Sequence, residues 1–225
     1  MMFIRSVSLN GTNQLEPWAR DVPAVKLLAQ HGTLGLDRPV TAITGGNGLG
    51  KSTLLGGIAR TYGFNLEGGT LGVGRAGKRD VLWGHINVDK HARAPVGYFL
   101  RAETNARVSE FRGGSHGENV MELLDHFIPE ALYLLDEPES GLSAVSQMAL
   151  LARLHGFAAA GAQIIMVTHS PILLGIPGAH IVELQEQELI DGVGLTQSTP
   201  YRAMRDFLED PAAIADYMYD VTALD

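Results

Sequence analysis

The run Gly45-Gly46-Asn47-Gly48-Leu49-Gly50-Lys51-Ser52 has the spacing GxxxxGK[ST], the pattern of a chain that wraps a phosphate. Glycines let the backbone curl until successive amides point at one anion, and a helix beginning there adds its partial positive charge. Lys51 would reach the β- and γ-phosphates of a nucleotide and Ser52 would bind Mg²⁺. Thr53 joins the loop residues, Asn47 and Leu49 included, in the candidate binding set. The competing reading is a glycine-rich turn with a chance Lys-Ser, and the apolar strand before it and helix after it weigh against that.

A phosphate cradle alone does not separate kinase, GTPase and ATPase. Leu132-Tyr133-Leu134-Leu135 is an apolar run that delivers Asp136 and Glu137, with Pro138 behind them. Open α/β sheets bind ligands at the carboxyl ends of their strands. Asp136 would then serve the Mg²⁺ shell through water, and Glu137 would polarise an attacking water. An acidic surface turn is the bland alternative. Thr168-His169-Ser170-Pro171 follows another apolar run, and taken alone it is a histidine at a strand end. Ser115-His116-Gly117-Glu118, taken alone, is a helix start in which Ser115 and Glu118 make a capping box.

These residues need strands and helices to hold them. Phe3 to Leu9 alternates and reads as an edge strand, Val22 to Gln30 as a short helix, and Pro39 to Thr44 as a buried strand leading into a helix over Lys51 to Tyr62. Residues 63–96 are rich in glycine and read as loops or a hairpin. Strand character returns at Gly97 to Arg101, a helix is expected over Glu118 to Phe127, and Ala131 to Leu135 is a buried strand. A helix from about Ser143 to Ala160 stops at Gly161 before the strand Gln163 to Thr168. A short strand near Ile181 to Leu184 and acidic helices after Tyr201 complete the pattern. Strands and helices that alternate, with the strands apolar throughout, imply an α/β fold: a mainly parallel sheet covered on both faces, with an antiparallel N-terminal part.

A chain of 225 residues fits one domain, 1–225, whose 198–225 tail is acidic. It has no cysteine, so disulfides, thiolate metal sites and a thiol nucleophile are excluded. No apolar run has the length of a membrane span, and no charged-then-apolar leader stands at Met1, so a cytoplasmic protein is expected. The net charge of −8 comes from the stretch Glu183 to Asp225, with ten Asp or Glu against two Arg. Arg75 to Arg112 holds eight Lys or Arg against four Asp or Glu, which is either a solvated surface or a face for phosphates. Gly72 to Gly77 spells GxGxxG without a following apolar helix, and eight histidines show no zinc spacing.

Together, the phosphate loop, Asp136-Glu137-Pro138, Thr168-His169 and Ser115-His116-Gly117-Glu118 resemble the ABC-type ATPases, the superfamily of transporter motors, chromosome-maintenance proteins and recombination ATPases. The order of motifs is most similar to small bacterial predicted ATPases near the recombination branch. The resemblance implies that Glu137 is the catalytic base and His169 a γ-phosphate switch. It also implies that Ser115, Gly117 and Glu118 are a signature that completes the opposite subunit's site in a nucleotide-dependent homodimer. Glu103 falls where the family has a metal-contacting Gln, and Trp18 or its neighbour Arg20 falls where an adenine contact is expected. His116 and Ser143 depart from the family pattern at the first signature glycine and at an Asp. Tyr62 is a further aromatic near the loop, with core packing as its ordinary reading.

Only eleven residues separate Glu103 from Ser115, too few for a transporter motor's helical subdomain or a coiled-coil arm. The expectation is a Mg²⁺-dependent ATP hydrolase head that closes as a dimer on ATP and drives a conformational switch in a DNA-related or defence process. The alternatives are an ATP-dependent module that binds DNA or a protein effector, a transporter's ATPase subunit, and a kinase. The basic stretch within 63–112 is where such a partner would dock.

Overall fold

The computed structural model describes residues 2–11, 15–73, 82, 84–101 and 116–222, with only the backbone described at 116–119. In chain order the first half contains β1 (Ile4–Leu9), α1 (Pro17–Arg20), α2 (Pro23–His31), β2 (Thr33–Gly35), β3 (Val40–Gly45), α3 (Lys51–Tyr62), β4 (Gly69–Thr70), β5 (Ile86–Lys90) and β6 (Gly97–Leu100). The second half contains α4 (His116–Leu124), β7 (Leu132–Asp136), α5 (Ala144–Ala159), β8 (Gln163–Val167), α6 (Pro171–Leu174), β9 (His180–Leu184) and β10 (Leu189–Asp191). A 3₁₀ turn at Leu195–Gln197 leads into α7 (Thr199–Glu209) and α8 (Pro211–Thr222).

The main sheet has seven strands in the order β10-β9-β3-β8-β7-β6-β4, and β9, β3, β8, β7 and β6 run parallel. β7 and β8 are buried at every position and β3 at all but Gly45, as apolar strands covered on both faces must be. Side chains alternate between two cores. Ile43, Leu134, Ile165 and Val182 face the side covered by α2, α3 and the N-terminal sheet. Ala42, Leu135, Met166 and Ile181 face the side covered by α4, α5 and α6. This is an α/β fold with a mainly parallel sheet, and the strand before the phosphate loop is an interior strand between β9 and β8.

β1, β2 and β5 form a separate antiparallel sheet in the order β2-β1-β5. Gln163, fully buried at the start of β8, stitches it to the main sheet. Its Oε1 accepts from Phe3 N at 2.7 Å and Ile4 N at 2.9 Å, and its Nε2 donates to Ile4 O at 2.8 Å and Leu36 O at 2.6 Å.

The glycine-rich segment 63–96 differs from the expected loops or hairpin. Among its described residues, the strands β4 and β5 do not pair with each other: β4 joins the edge of the main sheet beside β6, and β5 joins β1. The physical reason is that Ile86 and Val88 alternate inward on β5 and fill the N-terminal core. Among the described residues no helix is long and apolar enough to cross a membrane.

Candidate functional site

β3 ends in a loop that only glycine can trace. Gly45, Gly48 and Gly50 have φ of 137°, 77° and 85°, a region that side chains disfavour. Space enforces the same choice, since a Cβ on Gly45 would lie 2.1 Å from Leu184 O and one on Gly50 2.3 Å from Val22 Cγ1. α3 begins directly after Gly50 with no side chain capping it, so the first amides of a twelve-residue helix stay available to an anion. Ala24 N donates to Leu49 O at 2.8 Å and fixes the loop's far side against α2.

Lys51 is buried and folds back over the loop, its Nζ donating to Gly45 O at 3.0 Å and Gly46 O at 2.7 Å. Burial pulls its pKa down, against the opposing pull of Glu137 and Asp136. Ser52 Oγ donates to Asp136 Oδ1 at 2.8 Å, which brings the end of β7 to the start of α3. Thr53 sits beside them on α3. A hydroxyl and a carboxylate in contact form a hard-oxygen pair suited to Mg²⁺.

Glu137 follows at φ 48°, an uncommon conformation for a side chain this long, held by its N–H donating to Val167 O at 2.9 Å. β8 lies between β3 and β7, with Val167 beside both Ile43 and Asp136. Its end therefore delivers His169 between the loop and the acids. His169 Nε2 is 3.8 Å from Glu137 Oε1, and both side chains are about one-third exposed. Three neighbouring strands thus bring Lys51 and Ser52, Asp136 and Glu137, and His169 to one edge.

Ser143, at the expected Asp position, caps α5 by accepting from Ser146 N at 3.2 Å. Trp18 and Arg20 lie on α1. Pro17 starts that helix, Trp18 is exposed, and Arg20 Nε donates to Leu15 O at 2.8 Å. Tyr62 is at the far end of α3, roughly 16 Å from its start, and its hydroxyl donates to Ala92 O at 3.2 Å. It is a packing residue. Gly117 and Glu118 belong to the first turns of α4, while Glu103 and Ser115 lie outside the described residues.

Two acids not singled out in the sequence take part. Glu139 Oε1 accepts from Thr168 Oγ1 at 2.8 Å, His169 N at 2.7 Å and Ser170 N at 3.2 Å. Burial raises its pKa, opposed by the hydrogen bonds from Thr168 and His169, while the Glu137 charge adds to the rise. Glu183, buried on β9, accepts from Thr199 N at 3.0 Å and from the Thr199 hydroxyl. It ties the start of α7 to a cleft of about 560 Å³ shared with Gly46, Asn47 and His169. A charged residue inside the otherwise apolar run Ile181-Val182-Glu183-Leu184 was the available signal for Glu183.

Residues 122–175, which include both Asp136-Glu137 and Thr168-His169, match the family profile described as "AAA domain, putative AbiEii toxin, Type IV TA system". No curated protein matches the chain. Among solved structures, a bacterial Atm1-family ABC exporter with ATP bound is 14% identical over 92% of this chain and 42% of its own, with a TM-score of 0.49. The ADP conformation of an ATP-binding cassette of an ABC transporter is 14% identical over 97% of this chain and 99% of its own, at 0.47. UvrA2 from Deinococcus radiodurans is 23% identical over 41% of this chain and 13% of its own, at 0.33. The family match covers β7 and β8, the strands that carry Asp136-Glu137 and Thr168-His169.

Proposed function

We propose that this chain is an ATPase of the ABC type, whose two copies close on ATP and separate after hydrolysis. The observation that carries the reading is the convergence of Lys51 and Ser52, Asp136 and Glu137, and His169 from the neighbouring strands β3, β7 and β8. The loop amides and Lys51 would hold the β- and γ-phosphates. Ser52 and Asp136 would hold Mg²⁺, which supplies charge neutralisation between the phosphates. Ser52 and Asp136 leave most of an octahedral Mg²⁺ shell open, which phosphate oxygens and water would fill, with Glu103 as the further candidate.

Glu137 is the general base. It takes a proton from water as the water oxygen bonds to the γ-phosphorus and the bond from that phosphorus to the ADP oxygen breaks. His169, facing Glu137 across the cleft, reads the γ-phosphate. Gly117 and Glu118 at the start of α4, with Ser115 before them, would meet the nucleotide on the other protomer.

The test is Glu137→Gln, which keeps the shape of the base and removes its basicity. The variant is expected to bind ATP, to turn over at least about a hundredfold more slowly, and to double its mass by light scattering only when ATP and Mg²⁺ are present. Turnover equal to wild type would overturn the role of Glu137. A monomer under both conditions, with ATP binding shown, would overturn the shared site.

A further inference from the structure

His169 does not hold its own position. It lies in the bend between β8 and α6, where its two flanking residues have separate anchors. Thr168 N donates to Ile43 O at 3.0 Å, which binds the end of β8 to β3. Ser170 Oγ caps α6 by accepting from Ile172 N and Leu173 N, each at 3.2 Å, and donates to Gln147 Oε1 at 2.6 Å on α5. The peptide of His169 has a different holder, since its N–H donates to Glu139 Oε1 at 2.7 Å. That one oxygen also takes the Thr168 hydroxyl and the Ser170 amide, so three consecutive residues converge on it.

Glu139 is therefore committed. Its Oε1 is saturated by three donors, and its Oε2 is buried with no hydrogen-bond partner among the described residues. Its carboxylate points at the bend from the turn that follows Glu137, and Ser140 N and Leu142 N close that turn on Glu137 O and Glu139 O at 3.0 and 2.9 Å. A single rigid turn thus carries the proposed base and the group that fixes the histidine 3.8 Å from it.

We infer that Glu139 is a positioning residue for His169: it sets the separation of His169 from Glu137 by clamping the backbone of the bend, and its role is to accept hydrogen bonds rather than to carry charge. This rests on the ATPase reading above. Catalytic groups act only within a narrow geometry, so a loosened clamp should slow the chemical step and leave phosphate binding, which belongs to the loop and Lys51, unchanged.

The experiment is steady-state ATP turnover with Mg²⁺ for wild type, Glu139→Ala, Glu139→Gln, Glu139→Asp, His169→Ala and the Glu139→Ala/His169→Ala double variant, with folding checked by thermal unfolding. Glu139→Ala is expected to lower kcat roughly ten- to a hundredfold at unchanged KM. Gln retains a carbonyl oxygen at the same reach and should restore turnover to within about threefold. Asp keeps the charge but withdraws it by one methylene, and should resemble Ala, which also supplies the test should Glu139→Ala fail to fold. If Glu139 works through His169, the double variant should be no slower than His169→Ala. Wild-type turnover in Glu139→Ala or Glu139→Asp, a Gln variant as slow as Asp, or full additivity in the double variant would each overturn the clamp. A wild-type chain without turnover would instead overturn the ATPase reading, and the clamp with it.

Discussion

At the scale of single residues, Lys51 is the clearest point of attack. Its ammonium is buried against two loop carbonyls, an arrangement that costs desolvation until an anion arrives. Lys51→Ala is expected to weaken ATP binding by about ten- to a hundredfold, the value of one hydrogen bond to a charged group, and unchanged affinity by calorimetry would contradict the assignment. Glu139 makes a second prediction, about pH. Its folded pKa is raised, mainly by burial, so the unfolded chain gives up this proton at lower pH than the folded one. Stability is then lost as pH rises from the ordinary Glu value through the folded one. Glu137 is the charged neighbour that adds to the rise. Glu139→Gln cannot titrate, and its unfolding midpoint should gain on wild type as pH rises above the ordinary Glu value; a difference constant with pH would show that burial does not raise this carboxyl's pKa. Lys51, Ser52, Asp136, Glu137 and His169 were legible because motif spacing carries them. Glu139 and Glu183 were not, because their partners are Thr168, His169 and Ser170 in one case and Thr199 in the other. Contacts between separate elements leave no periodic trace in a sequence.

At the scale of elements, β3, α3, β7 and β8 were legible from continuous apolar runs punctuated by glycine and capping residues. What escaped was pairing. Ile86-Asn87-Val88 is too short to announce a strand, and nothing local says that it joins β1 and not β4. The helix α1, which carries Trp18 and Arg20, escaped likewise. Gln163 explains how the two sheets stay in register, since it spends both its oxygen and its nitrogen on backbone groups of Phe3, Ile4 and Leu36. Gln163→Ala would leave several buried backbone groups without partners and should cost at least about 3 kcal/mol in denaturant unfolding. A loss below about 1 kcal/mol would mean that the N-terminal sheet is held by its apolar core alone.

At the scale of the whole molecule, α7 and α8 stand apart from both cores. Leu208 and Tyr219 are 69% and 73% exposed, so Leu208→Asp and Tyr219→Asp should each shift stability by no more than about 0.5 kcal/mol; a larger loss by chemical denaturation would mean these side chains pack in solution. The order of strands has a different consequence, one of timing. β3 is flanked on both edges by β8 and β9, drawn from residues 163–167 and 180–184. A chain emerging from the ribosome releases β3 early and its neighbours late. Until they arrive β3 is a strand with two bare edges, open to mispairing with other nascent chains. The phosphate loop cannot be braced by Leu184, nor Ser52 by Asp136, until β9 and β7 have followed it in synthesis. A nucleotide held as proposed would therefore act as a seal on the finished fold and not as a template for it.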